Sequence, residues 1–96
     1  MKMIKTHKLK LNIEFCDDVY NGTKTFEVRK NDRGFQTGDH IQFVATNGVY
    51  SKDPVTKEEK QMVTHPINDK TYVITYVLNG WGLKNGYVAL GIKERQ

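Results

Sequence analysis

Along "THKLKL", residues 6–11, Leu9 and Leu11 fall on one side of an extended chain and Lys8 and Lys10 on the other, as a half-buried strand requires. The period then changes. Ile13, Cys16, Val19 and Tyr20 recur at helical spacing, with Asn12 placed to cap the start and Gly22 to stop the end, which predicts a helix over residues 13–21. Glu14 lies in its first turn, where the helix dipole favours a negative charge. Alternation resumes in "TFEVRK", residues 25–30. Successive strand side chains point to opposite faces, so Thr25, Glu27 and Arg29 share one face and Phe26 and Val28 the other. Hydrophobicity alone assigns Phe26 and Val28 to the core, and Glu27 and Arg29 to a polar surface that Lys24 joins from the preceding loop.

Further on, Gly38-Asp39 marks a tight turn before the alternating "HIQFVAT". From Asn47 to Asp69 the pattern is lost; both prolines and "TKEEK" lie here, and the segment reads as a variable hairpin or solvated excursion. "TYVITYVL" and "YVALGIKE" restore it, separated by the glycine-rich "NGWGLKNG", and Val88, Leu90 and Ile92 form one apolar face. Five or more short strands and a single helix predict a mainly β, α+β fold: a small barrel with its helix lying beside the "TFEVRK" strand. Closure would remove exposed sheet edges.

Ninety-six residues, 38% of them hydrophobic, suit one globular domain spanning residues 1–96. A net charge of +4 favours encounter with polyanions. Cys16 is the single cysteine, which excludes an internal disulfide and suits a buried structural thiol in a cytoplasmic protein. The N-terminus lacks the apolar run of a signal peptide, and no stretch approaches a membrane span. His7, His40 and His65 are scattered without metal-ligand spacing, so no metal and no cofactor is expected.

The chemistry concentrates between Lys24 and Arg33. Arg29 offers a planar fork for a phosphate or a base edge, and Lys24 a phosphate-directed point charge. Glu27 can accept from an exocyclic amine or sugar hydroxyl, or hold Arg29 in place. Asn31, Asp32 and Arg33 follow in a turn, where Asp32 suits bonds to nearby backbone amides. Unpaired bases also need rings to stack on. Trp81, between two glycines, Phe35 and Tyr87 are the candidates, the last two better suited to core or rim positions than to stacking.

Strand, helix, then "NGTKTFEVR" resembles the ASCH domain, whose hallmark glycine, lysine and acidic–x–arginine pair correspond to Gly22, Lys24, Glu27 and Arg29. The stretches His7 to Lys10, Gly22 to Asp39, Thr75 to Leu78 and Gly82 to Ile92 are similar to a small bacterial and phage branch known only as a domain of unknown function. The resemblance implies a PUA-like pseudo-β-barrel and a monomer that binds RNA or a modified nucleotide. Together with the chemistry of the residues, the expected site comprises His7, Lys8, Lys24, Glu27, Arg29, Asn31, Arg33, Trp81 and Tyr87, with the family pattern implying that His7 and Lys8 approach the cleft from the first strand. Two alternatives follow. Some ASCH proteins are amidohydrolases acting on acetylated cytidine, with a catalytic lysine, a threonine two residues before the motif arginine and a distant glutamate. Here Lys24 and Arg29 match, but Glu27 stands where the threonine would be. A hydrolase of this type would use Glu27 as base with Lys24 and Arg29 stabilising an oxyanion. The other alternative is a protein-interaction module working through residues 47–69.

Overall fold

Alternation along the first segment builds β1, Thr6–Asn12, which buries His7, Leu9 and Leu11 and exposes the lysines between them. Residues 3–47 and 62–96 are described in the computed structural model of the chain. Helix α1, Ile13–Tyr20, follows without a linker and buries Cys16 and Val19. Asn12 holds the N-cap position, but its side-chain amide donates to Glu14 Oε1 (3.1 Å) and makes no cap bond to the helix backbone. At the other end Asn21 N–H donates to Asp17 O (2.9 Å) and Gly22 N–H to Val19 O (3.2 Å). Gly22 adopts φ +79°, a conformation glycine enters without a Cβ penalty.

Strands β2 (Phe26–Lys30), β3 (His40–Thr46), β4 (Tyr72–Asn79) and β5 (Tyr87–Glu94) complete one mixed sheet, ordered β1-β3-β4-β5-β2. β1 runs parallel to β3, with Leu9 opposite Phe43 and Leu11 opposite Ala45; every other pairing is antiparallel. A bulge between Ile74 and Tyr76 leaves Thr75 as the extra residue beside the Tyr76–Gly91 pair, and a Cβ added at Gly91 would stand 2.7 Å from Thr75 Oγ1. The glycine makes room for the bulged strand. The core joins the inward residues of β1, β3, β4 and β5 to Cys16 and Val19 of the helix, Phe35 and Ile67.

Three expectations are corrected here. The sheet is not closed: β1 and β2 are its two edges. The helix packs on β1, β3 and the short 3₁₀ helix at Pro66–Asp69, and not beside β2. The faces of β2 are also reversed, since Phe26 is 51% and Val28 46% exposed whereas Glu27 is 7% exposed. The cause is the pairing with β5. Residues directly opposite in an antiparallel pair share a face, and Glu27 lies opposite Leu90 and Arg29 opposite Val88. The buried Val88–Leu90–Ile92 stripe fixes which face is inward, and the charged pair follows it. Phe26 and Val28 then lie opposite Gly91 and Ala89, residues too small to cover them.

Part of the 47–69 segment is anchored. Thr46 bridges Met62, Val63 N–H donates to Ala45 O (2.9 Å), Asn68 Oδ1 accepts from Ala45 N–H (2.8 Å), and Ile67 is fully buried. Residues 48–61, most of the hairpin expected over 47–69, lie outside the described residues. No helix among the described residues is long and apolar enough to cross a membrane.

Candidate functional site

Because the sheet stays open, its two edge strands face each other across a cleft of about 440 Å³. Its walls are Leu9–Asn12 of β1 and Glu27–Lys30 of β2, with Phe15 from the helix, Asp32, Arg33 and Phe35 from the loop after β2, and Tyr87 from β5. Four cationic residues, Lys10, Arg29, Lys30 and Arg33, face two carboxylates, Glu27 and Asp32.

Side chains bridge the seam where no backbone ladder does. The guanidinium of Arg29 donates from Nη2 to Lys10 O, and Arg33 Nη1 donates to Lys8 O (3.2 Å). The β2 backbone explains this division. Ile92 N–H donates to Thr25 O and Asn31 N–H to Gly86 O, so the odd-numbered residues turn their main-chain groups toward β5. Alternation leaves those of Phe26, Val28 and Lys30 on the free edge.

Glu27 organises the site. Its Oε1 accepts from Lys24 Nζ (2.9 Å) and its Oε2 from Arg29 Nε (3.0 Å), with all three side chains at least three-quarters buried. Lys24 is also pinned from both ends: its backbone N–H donates to Asp18 O (2.9 Å) and its ammonium to Phe26 O (2.8 Å). A carboxylate with both oxygens engaged by cations fixes the direction in which the guanidinium points. Asn31 holds the next turn, its Oδ1 accepting from Phe35 N–H (3.2 Å), which sets Arg33 at the cleft. Asp32 N–H donates to Lys30 O, and its carboxylate lies 3.9 Å from Arg33 Nε.

Glu27, Arg29, Arg33 and Tyr87 therefore line one concavity, Lys24 supports it through Glu27, and Asn31 shapes its rim. His7 does not belong to it. It is buried, with Nε2 2.8 Å from Asp39 Oδ2 and its ring edge-on to Phe35 at 4.7 Å. Burial alone would raise the Asp39 carboxyl; the His7 ring and the backbone N–H groups of Gln36 and Lys5 outweigh it and hold the carboxyl below its ordinary range. Lys8 contributes its carbonyl rather than its side chain, and Trp81, 90% exposed in the β4–β5 turn at φ +51°, is not among the lining residues. Lys10, Lys30 and Phe15 went unforeseen because nothing local in the sequence says that β1 and β2 become facing edges.

Elsewhere, the Cys16 thiol is pushed up by burial, then by the charges of Asp17 and Glu27, and lies within 3.5 Å of Asn12 O, as befits a structural thiol. Tyr72 is buried with its hydroxyl unpartnered among the described residues. Burial first, and then Glu94, Tyr20 and Cys16, push that hydroxyl up to about 12.

The family described as a domain of unknown function (DUF3850) matches residues 6–92, and the chain belongs to it. No curated protein matches the chain.

Proposed function

We propose that this domain binds RNA, or a modified nucleotide, in the cleft between β1 and β2, as a cytoplasmic monomer with the pseudo-barrel architecture of ASCH and PUA-like domains. The observation that carries the reading is the Arg29 guanidinium, oriented by Glu27 at the wall of a cleft with a two-charge excess of cations and with Phe15, Phe35 and Tyr87 on its lining. Oriented guanidinium groups suit phosphates and base edges, and rings suit unpaired bases. An open sheet whose edges are joined by arginine side chains supports the pseudo-barrel comparison.

Hydrolysis of an N-acylated nucleoside is less well supported. A base at Glu27 would need a free oxygen, and both are engaged by the cations proposed to stabilise an oxyanion. The protein-interaction reading rests on a segment that lies largely outside the described residues.

Fluorescence anisotropy with labelled single-stranded RNA across a salt series tests the proposal. Each phosphate neutralised contributes about 0.7 to the slope of log affinity against log salt, so engagement of the four lining cations gives a slope near −3. Arg29→Lys keeps the charge and loses the fork, and is expected to weaken binding while the protein stays folded. Absence of binding by the wild type at low salt, with turnover of an N-acetylated cytidine, would replace this reading with the hydrolase.

A further inference from the structure

Two exposed aromatic rings flank the Lys24 ammonium, Phe15 on the lining of the cationic cleft and Phe26 beside it. Phe26 projects from the outer face of β2, and Phe15, 41% exposed, comes from the first turn of α1. Lys24 Nζ lies 4.7 Å from the centroid of the Phe26 ring and 5.4 Å from that of Phe15. The ammonium is not a loose side chain resting on whatever is near, because Phe26 O and Glu27 Oε1 both hold it. It positions the rings through cation–π attraction, while about half of each ring's residue stays open to solvent.

This surface is continuous with the cleft. Val28, on the same face of β2 as Phe26 and 46% exposed, lines it together with Phe15. Apolar area next to Lys10, Lys30 and Arg33 fits a ligand that carries anionic and planar apolar parts a short distance apart. An apolar peptide would satisfy the rings and leave the cations without partners; an unpaired nucleotide satisfies both. A duplex hides its base faces within the stack, so the strand must be single at this point.

Resting on the reading of the cleft as an RNA site, we infer that Phe15 and Phe26 form the platform on which an unpaired base stacks, with Lys24 fixing the rings and the cleft cations holding the adjoining phosphates. This gives the aromatic role to two residues of the helix and of β2, and not to Trp81. Stacking is tolerant of base identity, so the platform supplies affinity for single strands and little sequence preference.

The test uses the full chain and two probes of about eight nucleotides, within the usual span of single-strand sites: a uridine oligomer, and an abasic oligomer of equal length and charge. Wild type is expected to bind the uridine oligomer at least tenfold more tightly than the abasic one. Phe15→Leu and Phe26→Leu, at exposed positions, should fold normally by circular dichroism and each lose about fivefold to a hundredfold in affinity for uridine, with the salt slope and abasic binding unchanged. In a Trp81→Phe background, Phe26→Trp places a single indole on the platform, and its fluorescence should be quenched by the uridine oligomer and not by the abasic one. If both leucine variants bind uridine as wild type does while Arg29→Lys binds it weakly, the platform is wrong and the cleft reading stands. If wild type binds neither oligomer at low salt, both fall together.

Discussion

Two strands that pair side by side solve the same problem in opposite ways. β5 sends Val88, Leu90 and Ile92 inward to a dry core, whereas β2, in register with it, sends Glu27 and Arg29 to the same side. The difference is their position in the sheet. β5 has a neighbour on each side, but β2 is an edge, and its inward face opens on the cleft. Charge is tolerated there because Glu27 is paired twice and Arg29 reaches the β1 backbone, so neither charge is buried alone. The ionic edge gives up burial energy and gains a fixed guanidinium facing a ligand-sized space.

The contrast can be broken at several points. Leu90→Ala removes a fully buried side chain and should destabilise by about 2–5 kcal/mol in denaturant unfolding. Glu27→Ala leaves Lys24 and Arg29 without their carboxylate and should cost less, about 1–3 kcal/mol, because both cations keep some access to water. It should also reduce RNA affinity, since the guanidinium loses its direction. A larger loss of stability at Glu27 than at Leu90 would mean that the seam, and not the apolar wall, holds the fold.

Two ionisable groups outside both strands, Asp39 before β3 and Tyr72 on β4, make stability depend on pH. Asp39 has its folded value lowered, so its stabilisation is present above its unfolded value of 3.8 and disappears as pH falls through the lowered folded value. Asp39→Asn should therefore flatten the acid limb of stability against pH. Tyr72 is raised from 10.0 to about 12, so its stabilisation is present below pH 10.0 and is lost as pH rises toward 12. Tyr72→Phe removes an unpartnered buried hydroxyl; it should leave neutral-pH stability unchanged or slightly increased and should flatten the alkaline limb. A marked loss at neutral pH would reveal a partner for that hydroxyl. The smallest effect is expected at Val28→Thr, within about 0.5 kcal/mol, because the side chain is half exposed. A core-sized loss would restore the hydrophobicity-based assignment of faces.

Local periodicity made much of this structure legible. The bounds of β1, α1 and β5, the Gly22 stop and the Val88–Leu90–Ile92 stripe all depend on residues within a few positions of each other. What local pattern could not supply was partnership. Phe26 and Val28 are more apolar than their neighbours, yet the register with β5, some sixty residues on, turns them outward. His7 beside Lys8 resembles a surface cation until Asp39 arrives from 32 residues away to bury it. Ile67 lies in a polar, proline-bearing stretch without periodicity, and the close pairing of Ala45 with Val63 and Asn68 carries it into the core. The site was half legible for the same reason: the run from Lys24 to Arg33 is continuous in sequence, while Lys10 and Phe15 join it only because β1 and β2 become the opposite edges of one sheet.

The most direct test is a heteronuclear NMR titration of labelled protein with a short single-stranded RNA at low salt. Amide shifts concentrated at Lys8–Asn12 and Phe26–Arg33, the two sides of the seam, are expected, with residues of the β4–β5 turn around Trp81 left in place. Shifts centred on that turn, or no shifts at all, would contradict an RNA site between β1 and β2.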